Sequence, residues 1–256
     1  MLMTRVIPCL LLSHGKLVKT VQFQNPNYIG DPVNAVKIYN EKEVDELIIL
    51  DIAATKEGIN PSFEMVKKIA DECFMPLCYG GGIRTLEDIE FLLKIGVEKV
   101  AINTYAYKNP LFVEKASKMF GAQSIIVSID VNKFVYIKGG TESTFLDPID
   151  YAKRVENAGA GEILLTSISK DGTMSGYDLD LISRVSKAVK IPVIACGGAG
   201  KIQDFLEAVK RGASACAAGS LFVYHGRNKA VLINFPSREE LKEIYAHFEV
   251  SQHENS

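Results

Sequence analysis

The sequence predicts a single α/β domain, a (β/α)8 TIM barrel built from two (βα)4 half-barrel repeats. Three observations predict it. The length of 256 residues is typical of one such barrel. Strand-length apolar runs alternate with helix-length amphipathic stretches, and both halves of the chain carry the same glycine pattern. No linker-like stretch separates the halves, so we expect one domain over residues 1–256, with a short polar tail from about residue 248.

Eight apolar runs are the predicted barrel strands. Their apolarity is continuous rather than alternating, as in parallel strands that are buried on both faces of a sheet. In chain order they are Val6–Leu12, Leu47–Asp51, Pro76–Tyr79, Val100–Ile102, Ile125–Asp130, Ile163–Thr166, Pro192–Ala195 and Ala215–Ala218.

Amphipathic stretches between the strands are the predicted helices. They are Pro32–Glu43, Phe63–Glu72, Thr85–Ile95, Pro110–Phe120, Pro148–Ala158, Leu179–Ala188, Ile202–Arg211 and Ser237–His247. Three of them follow Asp31, Asn109 or Asp147, each a capping residue directly before a proline suited to the first helical turn. A hairpin is predicted within Lys133–Ser143, after the fifth strand.

The glycine repeat predicts a pair of phosphate sites. Gly81-Gly82 follows the third strand and Gly197-Gly198 follows the seventh, and a hydroxyl residue, Thr104 or Ser220, follows the next strand in each half. Glycines let backbone N–H groups approach an anion closely, and a hydroxyl adds a donor. Two such sites on opposite sides of a barrel predict a ligand with a phosphate at each end, although tight βα turns alone would need the same glycines.

Composition and charge disfavour several classes of function. The net charge of −2 gives no electrostatic reason to expect nucleic acid or an anionic membrane as a partner. The five cysteines have no C-x-x-C spacing and the four histidines form no ligand pattern, so we expect neither a metal nor another cofactor. The apolar run near the N-terminus is too short to span a bilayer, and no secretory signal is visible, which favours a cytoplasmic protein.

Several motifs together resemble one enzyme family. They are Arg5-Val6-Ile7-Pro8-Cys9-Leu10, Leu50-Asp51-Ile52, Asn103-Thr104, Gly161-Glu162-Ile163-Leu164-Leu165-Thr166-Ser167, Asp171-Gly172-Thr173 and Gly197-Gly198-Ala199-Gly200. Over nearly its whole length the chain is similar to the cyclase subunit of imidazole glycerol phosphate synthase, a lyase of histidine biosynthesis. The resemblance implies a heterodimer with a glutaminase, whose ammonia crosses the barrel and closes an imidazole ring on a bis-phosphorylated substrate. It also adds Asn103, Asp171, Gly172 and Gly200 to the predicted phosphate-binding residues.

The chain departs from this family at one catalytic position. By resemblance, two aspartates at the ends of the first and fifth strands perform the acid/base work; Asp130 matches the second, but Leu11 stands at the first. Leucine cannot ionise, and each positioned acid or base contributes about 10²–10⁴-fold to a rate. Lys19 matches the lysine of the family's catalytic loop. His14 lies past the first strand in a loop that we expect to be mobile, from which an imidazole could relay protons.

Four charged residues form a predicted gate at the opposite end of the barrel. Arg5, Glu46, Lys99 and Glu162 open the first, second, fourth and sixth strands, so four charges of balanced sign can ring that mouth. Charged strand starts are common on barrels, and spacing alone does not decide their role. By resemblance, all four match the gate through which the family admits ammonia.

A second group resembles the chain more closely. These are paralogues of the cyclase subunit from bacterial surface-polysaccharide loci, encoded beside a glutaminase-like protein and a sugar amidotransferase; Leu10-Leu11-Leu12, Gly15–Thr20 and Asn25–Pro32 carry the resemblance. It implies a barrel that helps supply ammonia for amidation of a sugar in lipopolysaccharide biosynthesis. Two alternatives stay open: an authentic cyclase of histidine biosynthesis, which Leu11 opposes, and a non-catalytic subunit that binds a phosphorylated metabolite. The sequence does not decide whether the chain is itself an enzyme.

Overall fold

A computed structural model describes residues 4–226 and 228–242 of the chain. Its strands are β1 (Arg5–Ser13), β2 (Lys16–Val21), β3 (Gln24–Gly30), β4 (Leu47–Asp51), β5 (Leu77–Gly80), β6 (Lys99–Ile102), β7 (Ile125–Asn132), β8 (Phe134–Ile137), β9 (Glu142–Ser143), β10 (Glu162–Ser167), β11 (Val193–Cys196), β12 (Ala215–Ala218), β13 (Tyr224–His225) and β14 (Ala230–Val231). Its helices are α1 (Pro32–Glu41), α2 (Ala54–Glu57), α3 (Phe63–Glu72), α4 (Leu86–Lys94), α5 (Thr104–Lys108), α6 (Pro110–Phe120), α7 (Pro148–Asn157), α8 (Leu179–Ala188), α9 (Gln203–Lys210) and α10 (Ser220–Val223). The predicted tail from about residue 248 lies outside the described residues, as does the second half of the predicted last helix.

Eight parallel strands close into a barrel, which confirms the predicted fold class. Around the barrel, β1 pairs with β4, followed by β5, β6, β7, β10, β11 and β12, and β12 pairs back with β1. One face of each strand lines the lumen and the other packs against the helices. This double burial explains why the strand sequences are apolar without alternation.

The helices that cover the barrel begin where the sequence predicts caps, with one exception. Asp31 accepts a hydrogen bond from the N–H of Asn34 at 2.9 Å, and Asp147 accepts one from Ile149 at 2.8 Å. The cap predicted at Asn109 is wrong, because its side chain makes no cap hydrogen bond. Asn109 is both the residue after α5 and the residue before α6. Its backbone N–H donates to the Tyr105 carbonyl at the end of α5.

Antiparallel extensions rise from the first strand of each half. β1 pairs with β2, which pairs with β3, and β7 pairs with β8, which pairs with β9. The second extension is the hairpin predicted within Lys133–Ser143. The first corrects our expectation of a mobile loop around His14: His14 and Gly15 form a two-residue hairpin turn, with φ of 52° and 73°. Positive φ at both central residues is what a type I′ turn requires.

The half-barrel repeat extends to side-chain hydrogen bonds. Asp88 accepts hydrogen bonds from the N–H groups of Arg84 and Thr85, both at 2.9 Å. In the second half, Asp204 accepts from Gly200 at 2.8 Å and from Lys201 at 3.1 Å. Each buried carboxylate therefore fixes the turn after a glycine-rich strand end, in the same way in both halves.

The lumen of the barrel is lined by small and aliphatic side chains. They are Ile7, Cys9, Ile48, Cys78, Ala101, Ile126, Leu164, Ile194, Cys196, Ala215 and Ala217. A larger apolar core lies between the strands and the helices. Within residues 4–226 and 228–242, none of the helices has both the length and the apolarity to cross a membrane.

Candidate functional site

A cavity of about 370 Å³ opens at the carboxyl ends of the barrel strands. This is the end at which (β/α)8 barrels place their active sites. Of the predicted residues, Leu11, Lys19, Gly81, Gly82, Asn103, Thr104, Asp130 and Asp171 line it. The predicted phosphate residues Gly172, Gly198, Gly200 and Ser220 lie outside its lining, and the four gate residues lie at the other end of the strands.

Leu11 and Asp130 face the cavity from opposite walls. They sit near the ends of β1 and β7, which are four strands apart in the closed ring of eight. Leu11 is 8% exposed and offers only hydrocarbon. The cavity therefore has a carboxyl group on one wall and none at the matching position on the other.

Asp130 is buried among hydroxyl and amide groups rather than cations. It accepts hydrogen bonds from the Ser128 hydroxyl and from the Asn103 amide, each at 3.4 Å, and from Thr166. Burial raises the pKa of Asp130 to about 7; the hydrogen bond from Ser128 opposes this, and the charge of Asp171 adds to it. At neutral pH a substantial fraction of the Asp130 carboxyl is consequently protonated.

Asp171 occupies the opposite electrostatic environment. Its carboxylate lies 3.4 Å from the Lys19 ammonium and accepts a 3.4 Å hydrogen bond from the Thr20 hydroxyl. Its own N–H already donates to the carbonyls of Ser167 and Ile168. Neither a carboxylate nor an occupied N–H suits a phosphate oxygen, which disfavours the phosphate contact predicted for Asp171.

The first-half phosphate turn opens into the cavity. Gly81 and Gly82 have φ of 120° and 75°, and a Cβ at Gly81 would lie 2.4 Å from the Asp51 carbonyl oxygen, so only glycine fits there. The Thr104 hydroxyl accepts a hydrogen bond from the N–H of Lys138 at 2.9 Å. Asn103 turns inward instead, donating to Asp130 and to the carbonyls of Ser128 and Tyr136. Basic side chains also line this part of the cavity, namely Lys56, Arg84, Lys108 and Lys138.

The second-half phosphate turn is covered by the loop between β10 and α8. A Cβ at Gly198 would lie 2.3 Å from the Gly176 carbonyl oxygen, and one at Gly200 would lie 2.2 Å from that of Met174. The Ser220 hydroxyl is buried and has no hydrogen-bond partner within the described part of the chain. A buried hydroxyl without a partner is costly, and an anion held here would satisfy it.

The four gate residues form a closed ring of ion pairs at the amino ends of the strands. Arg5 contacts Glu46 and lies 3.2 Å from Glu162. Lys99 lies 3.1 Å from Glu46 and 3.0 Å from Glu162. The Glu46 side chain is only 2% exposed, so its two cationic neighbours compensate a carboxylate that water does not reach.

His14 is not part of the cavity lining. Its ring makes a 3.0 Å hydrogen bond with the Ser13 hydroxyl and lies 2.9 Å from Glu57 on α2. Both side chains are well exposed, at 66% and 46%. The contact fastens the β1–β2 hairpin to α2, and it gives no support to proton relay into the cavity.

Sequence reasoning missed several residues of the cavity. Ser128 and Thr166 lie on lumen-facing positions beside Asp130, and the two-residue period of a strand that ends in Asp130 could have indicated Ser128. Cys9 and Cys196 also line the cavity, although they come from strands that are not neighbours. The hydrogen bond between their thiols and then burial raise the pKa of Cys9 well above its ordinary value. No sequence signal pairs these two cysteines.

Comparison with known proteins agrees with this architecture. The chain matches the model of the histidine biosynthesis protein family over residues 5–229. It is 48% identical to a protein of Pseudomonas aeruginosa provisionally named imidazole glycerol phosphate synthase subunit hisF2, over 94% of this chain and 99% of that protein. It is 46% identical to a protein of Vibrio vulnificus provisionally named as subunit hisF3, over 94% of this chain and 96% of that protein.

A relative whose name carries no copy number is equally similar. The imidazole glycerol phosphate synthase subunit HisF of Hydrogenobaculum is 49% identical over 87% of this chain and 91% of that protein. Overall identity therefore does not separate the relatives whose names carry a number from the one whose name does not. The chain belongs to the histidine biosynthesis protein family and is a HisF-like member of it.

Proposed function

We propose that this chain is the barrel subunit of a cytoplasmic glutamine amidotransferase system, a heterodimer in which a HisH-like glutaminase supplies ammonia. The observation that carries the proposal is the combination of a complete gate with an incomplete catalytic pair. The ion-pair ring of Arg5, Glu46, Lys99 and Glu162 stands at one end of the lumen, and the cavity with Leu11 stands at the other.

The lumen between the two ends suits a small neutral molecule. Its side chains are alkyl groups and thiols, and Ala101, Ala215 and Ala217 contribute only methyl groups to its wall. An apolar passage excludes ammonium far more strongly than ammonia, because an unpaired ion in such surroundings costs much more than a neutral polar molecule. Passage requires the ring of ion pairs to open, since in the described conformation all four contacts are formed.

Leu11 indicates that the ammonia is used in a reaction other than the family's ring closure. Loss of one positioned acid or base lowers a rate by about 10²–10⁴-fold. We therefore propose that the ammonia serves amidation of a surface-polysaccharide sugar in lipopolysaccharide biosynthesis, through a sugar amidotransferase. The relatives named hisF2 and hisF3 support a specialised role, because such numbering distinguishes additional copies of the subunit.

A second candidate is the cyclase of histidine biosynthesis itself. Asp130, Lys19 and the first phosphate turn all line the cavity, and the buried Ser220 hydroxyl is available to an anion in the second half. These groups could contact the two phosphates of a bis-phosphorylated substrate. Only Leu11 argues against this candidate.

A turnover assay tests the proposal. Purified protein receives the bis-phosphorylated cyclase substrate and an ammonium salt, which bypasses the glutaminase. We expect ring closure to be at least about 10²-fold slower in the unmodified chain than in a Leu11→Asp variant. A Leu11→Asn variant is the matched control, because it adds a polar side chain of the same size that cannot ionise.

The alternatives give different results in the same assay. Equal and rapid turnover by the unmodified chain and by Leu11→Asp would overturn sugar amidation in favour of the cyclase. If Leu11→Asp is inactive but the protein binds the substrate, the barrel is a phosphometabolite-binding subunit and the proposal fails.

A further inference from the structure

We propose that Asp171 takes the place of the missing first-strand carboxylate and forms, with Asp130, the acid/base pair of the cavity. This role of Asp171 rests on the proposed function in one respect: the cavity must accept the family's class of substrate. It assigns Asp171 a catalytic role instead of the phosphate contact that the resemblance implied. The slow ring closure expected of the unmodified chain would then run through Asp171.

Asp171 reaches the same cavity as Asp130 from a different element. It lies in the loop between β10 and α8, and Asp130 lies on β7, the strand that pairs with β10. Both side chains are buried, both line the cavity, and they are close enough for the charge of Asp171 to raise the pKa of Asp130. Two carboxyl groups that share one cavity can act as an acid and a base on one substrate.

The loop holds Asp171 firmly. The Asp171 carbonyl accepts a 2.9 Å hydrogen bond from the N–H of Gln22, and the Gln22 side chain donates to the Ser169 carbonyl. A Cβ at Gly172 would lie 2.3 Å from the Thr20 carbonyl oxygen, so the loop and β2 are in direct backbone contact. A fixed carboxylate loses little conformational entropy when a substrate arrives, which is a requirement for efficient catalysis.

The two carboxyl groups have different neighbours. Asp171 has the Lys19 ammonium and the Thr20 hydroxyl, which stabilise a carboxylate. Asp130 has burial and the neighbouring negative charge, which favour the neutral acid. The carboxylate beside a cation is the one we assign as the base, and the buried carboxyl group without a cation is the one we assign as the acid.

The chemistry follows from these assignments. When ammonia adds to a substrate carbonyl carbon, a C–N bond forms and the carbonyl π electrons move to oxygen. Asp171 accepts one proton from the nitrogen, and Asp130 gives its proton to the oxygen, which leaves a neutral carbinolamine. The two carboxyl groups have then exchanged protonation states, and no oxidant or further reactant is needed.

The test compares Asp171→Asn with the unmodified chain in the ammonium-fed assay. We expect kcat to fall by about 10²-fold while KM changes little, because the base acts in the transition state. Combining Asp171→Asn with Leu11→Asp should restore turnover, because the second change returns a carboxylate to the opposite wall. A carboxylate needed only for structure or substrate binding would not be replaced by one on another strand.

Asp178, at the N-terminal cap of α8, provides the control. Asp178→Asn alters the same loop at the cap of α8, outside the cavity, and asparagine caps helices as well as aspartate does, so turnover should not change. Unchanged turnover in Asp171→Asn overturns the inference, as does a double variant that stays inactive, or an unmodified chain with no turnover when Leu11→Asp is active. Ammonium bypasses the gate and the glutaminase, so a failure of ammonia transfer appears only in glutamine-fed reactions and is distinguishable from a failure of this inference.

Discussion

At the scale of single residues, the surroundings of Asp130 set the pKa of its carboxyl group. A buried carboxyl group with only neutral hydrogen-bond donors pays a desolvation penalty when it ionises. The pKa of Asp130 is therefore raised to about 7, whereas an aspartate in an unfolded chain has a pKa of about 3.9. The folded protein holds this proton more tightly than the unfolded protein does.

This difference makes a prediction for stability against pH. Between about pH 4 and pH 7 the unfolded chain has released the proton and the folded chain has not, so the contribution of Asp130 to stability falls as the pH rises through this window. The free energy of unfolding of the unmodified chain, relative to Asp130→Asn, should fall by about 3 kcal/mol between pH 4.5 and pH 7.5. Urea unfolding of both proteins at the two pH values measures it.

An exposed aspartate provides the control for this experiment. Asp71 pairs with Lys67 on the surface of α3, and Asp71→Asn reports pH effects that do not depend on burial. A difference between the unmodified chain and Asp130→Asn that stays constant across the window would contradict a buried, protonated Asp130.

Some residues of the cavity could be predicted from the sequence and others could not. The first glycine turn was predicted from the repeat, and Asp130 and Lys19 from the resemblance to a family; all three line the cavity. The environment of Asp171 was not predictable in this way. It depends on Lys19 and Thr20, which are about 150 positions away in sequence and are brought to it by a hairpin.

At the scale of elements, the β2 extension is what assembles the candidate site. The sequence predicts no strand there, because its short runs lack the continuous apolarity of the barrel strands and β3 is largely exposed. The structure shows β2 pairing with the end of β1 and contacting the loop after β10. This contact places Lys19 beside Asp171.

Gly172 and Gly58 offer a matched test of that contact. Both have a left-handed backbone, with φ of 73° and 71°, so alanine at either position carries a similar strain of about 1–2 kcal/mol. At Gly58 nothing lies within 4 Å of the added Cβ, whereas at Gly172 the Thr20 carbonyl oxygen lies 2.3 Å away. We expect Gly172→Ala to destabilise the protein more than Gly58→Ala and to increase amide hydrogen exchange along β2.

The comparison of the two variants isolates packing from strain. Chemical denaturation gives the two stabilities, and hydrogen exchange locates the change. Equal destabilisation, with exchange along β2 unchanged in both variants, would mean that the loop and β2 do not depend on each other.

At the scale of the whole molecule, the direction of the barrel strands separates two candidate sites. The amino ends carry the ion-pair ring and the carboxyl ends carry the cavity, with the lumen between them. The repeat gives both halves the same glycine turns and the same buried aspartates, Asp88 and Asp204. The sequence predicts this plan because it follows from strand order, whereas the width of the lumen depends on how eight strands close.

The lumen can be tested with a reporter built into the cavity. In a Leu11→Asp background, ring closure reports the arrival of ammonia, which can be supplied either as an ammonium salt or through the glutaminase partner from glutamine. Ala217 lines the lumen, and its neighbour Ala218 on the same strand packs outward against the helices. Leucine at either position adds the same volume to a buried strand and is expected to cost about 1–3 kcal/mol of stability.

The two substitutions should differ only in ammonia transfer. Ala217→Leu should lower glutamine-fed turnover at least about tenfold and leave ammonium-fed turnover near that of the background, because the larger side chain fills space in the lumen at a position outside the cavity lining. Ala218→Leu should change both rates equally or not at all. If Ala217→Leu leaves the ratio of glutamine-fed to ammonium-fed turnover unaltered, ammonia does not reach the cavity through the lumen, and the ring of Arg5, Glu46, Lys99 and Glu162 is a structural closure of the barrel floor rather than a gate.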